Sequence, residues 1–478
     1  MFAKIQRIHF VGIGGIGMSG IAEVLLNLGY KVSGSDLKTS VLTERLQSLG
    51  AIIYEGHRAE NILSAEVVVA SSAIAAENPE LVEARELHIP VIQRAEMLAE
   101  LMRLKYGIAI AGMHGKTTTT SMVAAVLAAG GLDPTVVVGG RVDAMGSNAR
   151  LGNSQYLVAE ADESDKSFLK LSPILAVITN IDREHMDCYR NMRDVKRAFL
   201  DFTDRVPFYG TVVACNDDRL LRGIIPQIRR RTVTYGVRRG SDFRIKILDS
   251  EGATSRDARL SIDGDYPASR FTVTYNDKNL GDFRLHIPGL HNISNATAAI
   301  AVGVGLDINL EQIRTALESF RGVDRRFQLR GKVGGISVVD DYGHHPTEIR
   351  ATLAAARQCK YNKIHVVFQP HRYTRTQFLM DEFANAFGDA DSLFLLDIYP
   401  ASEAPIEGVT SEVLAQKIAG HLPVDHINTF ADAAASVAAI AEAGDMILTL
   451  GAGNVGQLAP MILEKLQSSG QSRSVAKV

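Results

Sequence analysis

A short glycine loop followed by a lysine and a threonine is the part of the chain best suited to phosphate chemistry. Residues 107–120 read GIAIAGMHGKTTTT, so an apolar strand leads into Gly112–Gly115, then Lys116 and Thr117. Backbone N–H groups of such a loop, and of the helix that follows it, point at a bound anion. The lysine suits β- and γ-phosphates, and the threonine hydroxyl suits Mg²⁺. The loop is a shortened G-x-x-G-K-T, because Ile110 stands where the longer pattern has glycine.

A carboxylate and an imidazole follow two later strands of the same segment. Glu160 comes directly after the run YLVA, and His185 follows ITNIDRE. Because the carboxyl ends of neighbouring parallel strands share one edge of a sheet, we expect both side chains to face Lys116. We predict that they ligate Mg²⁺ directly or through water, although either residue alone is often only structural in such a loop.

Two polar side chains one helical turn apart lie near the start of a later helix. They are His291 and Asn295, in the stretch LHNISNATAA. An imidazole can stack on a flat base while the amide hydrogen-bonds to its edge, and residues four apart share one helix face. The spacing equally allows a helix that is capped by Asn292, in which Asn295 has no binding role.

A second glycine loop lies near the N-terminus. Residues 12–17 read GIGGIG directly after an apolar strand, and Asp36 lies at the end of the next strand. The G-x-G-x-x-G pattern fits a nucleotide diphosphate, a dinucleotide such as NAD, or a tight turn without a ligand. Ser71 and Ser72 follow another strand and are expected at the same edge of the sheet.

Four loops at predicted strand ends in the last third of the chain are rich in charge, imidazole and glycine. They are residues 340–345, 369–375, 397–403 and 451–454. Four such loops at one sheet edge predict a binding face. Arg325 and Arg326 precede them, and we predict that they clamp a phosphate when domains close.

The alternation of apolar runs and helical stretches predicts an α/β chain of three segments. The predicted boundaries are residues 1–104, 105–321 and 322–467, with a frayed tail over 468–478. Residues 232–287 form a predicted β-rich insertion with turns at Asp263-Gly264 and Asn276-Asp277.

Composition excludes several classes of protein. The net charge is −3 at pH 7, so the overall charge of the chain does not favour binding to nucleic acid or to an anionic membrane. The three cysteines form no C-x-x-C pair, which argues against a zinc site or a disulfide framework. No apolar run reaches the ~18 residues needed to span a bilayer, and the N-terminus has no signal-peptide pattern. We therefore expect a cytoplasmic protein.

Six motifs, taken together and in order, resemble those of the Mur ligase family of peptidoglycan synthesis. They are GMHGKTT, EADES, TNIDREH, GLHNISN, RRF and DDYGHHPTE, and the resemblance extends to about residue 465. It implies a Rossmann-like N-terminal domain that binds a UDP-sugar and a P-loop ATPase-like central domain with a parallel sheet and a small β-rich part. A Rossmann-like C-terminal domain would then deliver the amino acid.

The resemblance also implies a role for each set of residues. The residues expected to hold the ATP phosphates are Gly112, Met113, His114, Gly115, Lys116, Thr117 and Thr118. The other expected ATP contacts are His291, Asn295, Arg326 and Asp341. The UDP-sugar is expected on Gly14, Gly15, Ile16, Gly17, Ser19, Asp36, Ser71 and Ser72. The amino-acid carboxylate is expected on His344, Arg372 and Arg375. The expected ligands of Mg²⁺, for which Mn²⁺ can substitute, are Thr117, Glu160 and His185. The expected catalytic residues are Lys116, Glu160, His185 and Arg326.

The implied reaction joins L-alanine to the carboxylate of UDP-N-acetylmuramate at the expense of ATP, through an acyl phosphate. The implied partners are these small molecules alone, with no nucleic acid and no membrane, in a monomer or homodimer. The nearest alternative is a recycling ligase that adds a murein tripeptide to the same UDP-sugar. Within the family resemblance, Tyr342-Gly343 and the Thr347-Glu348 ending of the same motif favour L-alanine. An NAD-dependent oxidoreductase leaves the phosphate loop unexplained. A non-catalytic nucleotide-binding protein has no need of the three metal ligands.

Overall fold

The chain is an α/β protein built on three sheets. A computed structural model describes residues 5–71, 73–142, 147–248, 261–263 and 266–475. Within these residues, none of the helices combines the length and the apolar character needed to cross a bilayer. The predicted α/β class is confirmed.

The first sheet is parallel and carries the N-terminal glycine loop. Its elements are β1 (Arg7–Val11), α1 (Ile16–Asn27), β2 (Lys31–Asp36), α2 (Val41–Ser48), β3 (Ile52–Glu55), β4 (Val67–Ala70), α3 (Pro79–Glu86), β5 (Val91–Gln93) and α4 (Arg94–Arg103). The strand order is β3-β2-β1-β4-β5. The order reverses beside β1, and a crevice at the carboxyl ends of the strands is expected at such a point. The loop between β1 and α1 therefore lies where ligands bind in this architecture.

The second sheet carries the phosphate loop. Its elements begin with β6 (Tyr106–Ala111), α5 (Lys116–Ala129), β7 (Thr135–Val142), β8 (Ser147–Arg150), β9 (Tyr156–Glu160), β10 (Leu175–Ile178), α6 (Met192–Thr203), β11 (Thr211–Cys215) and α7 (Arg219–Arg222). They continue with β12 (Arg231–Gly236), β13 (Phe243–Leu248), β14 (Ser261–Asp263), β15 (Tyr266–Tyr275), β16 (Lys278–Leu285), α8 (Leu290–Gly305) and α9 (Leu310–Ser319). The strand order is β14-β15-β13-β12-β11-β10-β6-β9-β7-β8, with β16 beside β15.

Two features of this sheet bear on the predictions. Strands β9 and β10 both pair with β6 in parallel, so the loops after all three strands lie at one edge. The predicted β-rich insertion is present in its described part, and its strands are continuous with the sheet. Asn276 and Asp277 have φ of +47° and +61°, as a tight hairpin turn between β15 and β16 requires. This predicted turn is confirmed, whereas Gly264 of the turn predicted at Asp263-Gly264 lies outside the described residues.

The third sheet is parallel apart from one edge strand. Its elements are β17 (Gln328–Val333), β18 (Ile336–Asp341), α10 (Pro346–Gln358), β19 (Ile364–Phe368), α11 (Tyr373–Phe378), α12 (Met380–Ala384), β20 (Ser392–Leu395), α13 (Ser411–Ile418), β21 (Val424–His426), α14 (Phe430–Ile440), β22 (Met446–Leu450) and α15 (Leu458–Val475). The strand order is β17-β18-β22-β19-β20-β21, and β17 is antiparallel to β18.

Apolar side chains cover both faces of the third sheet. Val366 and Leu448 pack with α10, α12 and α13, whereas their chain neighbours Val367 and Ile447 pack with α14 and α15. Successive strand residues point to opposite faces, so both layers draw on the same strands. A parallel sheet buried on both faces is the doubly wound arrangement predicted for this segment.

Helix α15 extends into residues 468–478, for which a frayed tail is predicted, and the fraying itself stays a prediction. Helix α15 runs to Val475. Its first turns are anchored by Leu458, Ile462 and Leu466, which are buried against the third sheet. Extending a helix that is already anchored costs far less than nucleating one, so the polar residues beyond position 467 continue it.

The chain separates into two compact units. The first comprises Met1–Lys246, Thr272–Phe283 and Ser294–Phe320, and the second comprises Ile247–Phe271, Arg284–Ile293 and Arg321–Val478. The first unit thus includes the first sheet, the phosphate loop and the strand ends beside it. The third sheet belongs to the second unit. The three segment boundaries given above stay predictions.

Candidate active site

The phosphate loop of the first unit has the tight backbone that its glycines predict. Gly112 and Gly115 have φ of +134° and +82°. A Cβ on Gly115 would lie 2.8 Å from Asn295 Oδ1, and one on Gly112 would collide with Thr179 Oγ1. Other side chains are therefore excluded from both positions by strain and by space. Ile110 is fully buried within β6, so the strand extends to the place where the longer pattern has its first glycine.

Two residues that the sequence analysis did not single out hold this loop in shape. Thr179 Oγ1 donates to His114 O at 2.7 Å. Asn180 accepts from His114 N at 2.9 Å through Oδ1 and donates to His114 O at 2.9 Å through Nδ2. Both residues belong to the TNI motif after β10, and that motif could have pointed to them in the sequence.

Lys116 lies at the first position of α5, and its ammonium group turns back toward the loop. Nζ is 2.7 Å from Gly112 O and 2.8 Å from Glu163 Oε1. Burial opposes the charge of Lys116, but the nearby Glu163 carboxylate raises its pKa overall. The lysine is therefore charged at neutral pH.

The predicted metal ligands occupy the expected strand ends. Thr117 is in the first turn of α5, Glu160 is the last residue of β9, and His185 lies in the loop after β10 with φ of +56°. His185 Nε2 is 3.5 Å from Oε1 of Glu163, a residue that sequence reasoning missed. Glu163 stands three positions after Glu160 in EADES, so the second glutamate of that motif could have been considered as a site residue from the sequence.

The environment of Glu163 tests whether a divalent cation fits beside the phosphate loop. Its side chain is fully buried, and Oε2 has no hydrogen-bond partner in the described part of the chain. Carboxylates, a threonine hydroxyl and an imidazole at one sheet edge form an oxygen-rich donor set that suits Mg²⁺ or Mn²⁺. These residues fit the cation that the sequence predicts.

The N-terminal glycine loop of the same unit is held by the acid predicted for it. Gly14 N donates to Asp36 Oδ2 at 2.8 Å, and a Cβ on Gly14 would lie 2.8 Å from that oxygen. A Cβ on Gly17 would lie 2.9 Å from Arg94 Nη1. Arg94 therefore lies against the loop, and no motif in the sequence indicated it.

The remaining predicted UDP-sugar residues are distributed around this loop. Ser19 is buried in α1, and Gly15 is the residue that precedes α1. Ser71 follows β4, and its Cβ lies 3.3 Å from the position that a Cβ on Gly12 would occupy. Ile16 is the first residue of α1, and Ser72 lies outside the described residues.

His291 and Asn295 lie one turn apart at the start of α8. Burial, reinforced by the charge of Arg326, lowers the pKa of His291 to about 4, so its ring is neutral at pH 7. A neutral imidazole suits stacking on a base. The alternative of a cap at Asn292 is wrong, because α8 begins at Leu290 and the Asn292 amide donates to Pro288 O at 2.7 Å.

The structure separates the two adjacent arginines of the second unit. Arg325 donates to Asp340 Oδ2 at 2.9 Å and to Gly451 O at 2.7 Å, so it ties two strand ends together. Both guanidinium groups lie 5.2 Å from the Tyr342 ring centroid, and Arg326 also lies 3.6 Å from Glu348. Arg325 thus contributes to the fold of these strand ends, and the predicted phosphate clamp stays a prediction.

Asp341 holds two backbone segments, one directly after this arginine pair and one directly before His344. Its oxygens accept from Phe327 N and from Gly343 N, each at 2.7 Å. Burial raises the pKa of the Asp341 carboxyl, although Arg326 and the two N–H groups oppose that shift. Its contacts thus position the segments that carry Arg326 and His344. Its predicted role in binding ATP stays a prediction.

The predicted binding face of the third sheet is a cluster of cationic and aromatic side chains, and its role in binding stays a prediction. Arg372 Nε pairs with Glu403 at 2.7 Å, and Arg375 Nη1 donates to His371 Nδ1 at 3.2 Å. The His371 ring lies 5.9 Å from the His344 ring and stacks on Tyr399. The sequence analysis did not assign His371 a role.

The electrostatics of this face favour an anion. Burial, with the adjacent His344 ring and the two arginines, lowers the pKa of His371 to about 3, so His371 adds no charge of its own at pH 7. Arg372 has φ of +73°, which is strained for a side chain of this size and is typical of functional sites. Two guanidinium groups in this position can bind a small carboxylate.

Three family models match successive stretches of the chain. The model described as "Mur ligase family, catalytic domain" matches residues 7–106, and "Mur ligase middle domain" matches residues 110–303. The model described as "Mur ligase, glutamate ligase domain" matches residues 325–453. Together the three stretches account for most of residues 7–453.

Two relatives that match almost the whole chain share the same description. A UDP-N-acetylmuramate–L-alanine ligase from Koribacter versatilis is 70% identical over 470 residues, which are 98% of this chain and 99% of the relative. The protein of the same description from Acidobacterium capsulatum is 62% identical over 468 residues, again 98% and 99%. A solved UDP-N-acetylmuramate-alanine ligase from Thermotoga maritima has a TM-score of 0.78 at 30% identity, covering 97% of this chain and 99% of that one. A murein peptide ligase from Psychrobacter arcticus, at 24% identity and a TM-score of 0.66, covers 96% and 98% and shows the fold alone.

Proposed function

This chain belongs to the Mur ligase family, and from that premise we propose that it joins L-alanine to the carboxylate of UDP-N-acetylmuramate in peptidoglycan synthesis, using ATP. The observation that carries the proposal is the similarity over the full chain to relatives described as UDP-N-acetylmuramate–L-alanine ligases. The phosphate loop and the cationic face of the third sheet provide the two chemical functions that such a reaction needs.

The reaction requires activation of a carboxylate, because its oxygen is a poor leaving group. Transfer of the γ-phosphoryl group of ATP to the muramoyl carboxylate gives an acyl phosphate. The alanine amine then attacks the acyl carbon, and phosphate leaves from the tetrahedral intermediate. Phosphoryl transfer depends mainly on positioning and on stabilising negative charge, which is the role we assign to Lys116.

Thr117, Glu160 and His185 are the residues that would hold Mg²⁺ or Mn²⁺. The cation supplies neutralisation of the charge that develops on the transferred phosphoryl group. Glu163 supports this assignment, because its buried carboxylate lies near His185 through Oε1 and its Oε2 has no hydrogen-bond partner in the described structure.

We assign the remaining substrates to the other groups of residues. Neutral His291, with Asn295 one turn further along α8, would bind adenine. The loop from Gly14 to Gly17, with Asp36 and Ser71, would hold the UDP-sugar. Arg372 and Arg375, with His344, would place the L-alanine carboxylate through charge-assisted hydrogen bonds. We also infer a cytoplasmic location, because the substrates are ATP and a nucleotide-sugar and the three cysteines are free thiols.

One assay tests the proposal. The purified protein is given ATP, Mg²⁺ and UDP-N-acetylmuramate, and phosphate release is measured with L-alanine, glycine, L-serine and the murein tripeptide as acceptors. We expect the greatest stimulation with L-alanine. A preference for the tripeptide would support the recycling reaction instead, and no stimulation by any acceptor would contradict ligase activity.

A further inference from the structure

The hydrogen bonds of the Lys116 ammonium group are all made inside the protein. Nζ lies 2.7 Å from Gly112 O, 3.3 Å from Met113 O and 2.8 Å from Glu163 Oε1. An ammonium group has three donors, and these contacts use all three. Lys116 can therefore bind a phosphate only if it releases at least one of its present partners.

Glu163 is a fully buried carboxylate that depends on Lys116 for its counter-charge. Oε1 contacts Lys116 and lies 3.5 Å from His185 Nε2, whereas Oε2 has no hydrogen-bond partner within the described residues. A buried charge that loses its partner is strongly destabilising. Release of Lys116 would leave this carboxylate uncompensated unless another cation replaces the lysine.

From these contacts we propose that Lys116 and Glu163 exchange partners when the nucleotide binds. Lys116 leaves Glu163 for a phosphate, and the divalent cation that accompanies the nucleotide balances the Glu163 carboxylate through its unpartnered oxygen. Glu163 is then a positioning residue that couples nucleotide binding to cation binding. The proposal rests on the ATP site of the proposed function.

The exchange has a thermodynamic consequence. Without a divalent cation, nucleotide binding leaves the buried Glu163 carboxylate without a counter-charge, so the affinity for the nucleotide is low. With the cation, that cost is removed and affinity rises. Because coupling between two ligands is reciprocal, the nucleotide must raise affinity for the cation by the same factor. Glu163→Gln keeps the shape of the side chain and removes its charge, so it should weaken this coupling.

The experiment is calorimetric titration of a non-hydrolysable ATP analogue, in EDTA and in Mg²⁺, without UDP-sugar. The measured quantity is the ratio of the two dissociation constants. In EDTA we expect Glu163→Gln to bind the analogue about tenfold tighter than the wild type, with the metal-dependent ratio reduced by about the same factor. The matched control is Glu86→Gln, which removes an exposed carboxylate from the same unit and should keep the wild-type ratio. An unchanged ratio in Glu163→Gln would overturn the proposal.

If circular dichroism shows that Glu163→Gln does not fold, a second variant tests the proposal. Lys116→Met removes the counter-charge instead, so Glu163 should recruit a cation in the absence of nucleotide. We expect electron paramagnetic resonance to show Mn²⁺ binding about tenfold tighter than in the wild type. Unchanged Mn²⁺ affinity would overturn the exchange. The wild-type phosphate-release assay is independent of both titrations, so an active ligase with an unchanged ratio contradicts the exchange alone.

Discussion

Arg94 and Asp162 form an ion pair between the first sheet and the acidic loop after β9. Arg94 Nη2 lies 3.2 Å from Asp162 Oδ2. Burial opposes the charge of Asp162, but the Ser164 hydrogen bond and the charges of Lys116 and Arg94 lower its pKa overall. The guanidinium also lies against Gly17. One side chain thus links the loop assigned to the UDP-sugar with the loop that follows Glu160 and carries Glu163.

The first prediction concerns this arginine. Arg94→Ala removes a cation beside the N-terminal glycine loop, so the KM for UDP-N-acetylmuramate should rise about tenfold while the KM for ATP changes little. The pair is partly exposed, so the free energy of unfolding should fall by no more than about 1 kcal/mol. Steady-state kinetics and urea denaturation check the two parts.

The control for this variant is Arg103→Ala. Arg103 is an exposed residue of the same helix, α4, and pairs with Glu100 one turn away. Its loss should leave both KM values as in the wild type. Equal increases in the two KM values of Arg94→Ala would remove the assignment of Arg94 to the UDP-sugar side.

The second prediction concerns the lysine of the phosphate loop. Lys116→Ala should lower kcat by at least about 10²–10³-fold, because a charged donor to the transferred phosphoryl group is lost. Binding of UDP-N-acetylmuramate should stay near the wild-type value, since the sugar is assigned to the loop between β1 and α1. Phosphate release and calorimetry measure the two effects, and wild-type turnover in this variant would contradict the catalytic role of Lys116.

The positions of the functional loops could be predicted because they follow from strand order. Once β6, β9 and β10 are recognised as parallel strands, Glu160 and His185 must lie at the same edge as the phosphate loop. The same reasoning brought together the four loops of the third sheet. What could not be predicted is which side chain in a loop turns inward, because loop backbones have no period that fixes side-chain direction.

Three cases illustrate that limit. EADES contains two glutamates, and only the structure shows that Glu163, not Glu160, pairs with Lys116. Arg325 and Arg326 are identical in type, and a positive φ at Arg325 accompanies its turn toward Asp340. Arg94 and Asp162 are 68 positions apart, and no pattern in the sequence links them.

The third prediction concerns pH and His291. The unfolded chain takes up a proton on this residue near its ordinary pKa of 6.5, whereas the folded protein does so only near pH 4. The unfolded state therefore binds more protons between these values, and stability falls as pH is lowered through this window. From pH 7.5 to pH 5, His291 should account for about 2 kcal/mol of the loss in the free energy of unfolding.

Urea denaturation of His291→Gln at the two pH values measures this contribution. The variant has no titrating group at position 291, so its loss of stability over the same range should be smaller by that amount. His421→Gln is the matched control, because His421 is exposed and should give the wild-type pH dependence. Equal pH dependence in the wild type and His291→Gln would contradict a neutral, buried ring.

The fourth prediction concerns selection of the amino acid. Arg372 and Arg375 are assigned to the L-alanine carboxylate, and a hydrogen bond between charged groups contributes about 1.5–3 kcal/mol. Arg372→Ala should therefore raise the KM for L-alanine by about 10–100-fold, with little change in the KM for ATP. Arg357→Ala is a suitable control, because it removes an arginine of the same unit that pairs with Asp391 instead. Initial rates measured over a range of L-alanine and ATP concentrations give the two KM values. Parallel increases in both would show that Arg372 maintains the fold of the unit and does not bind the amino acid.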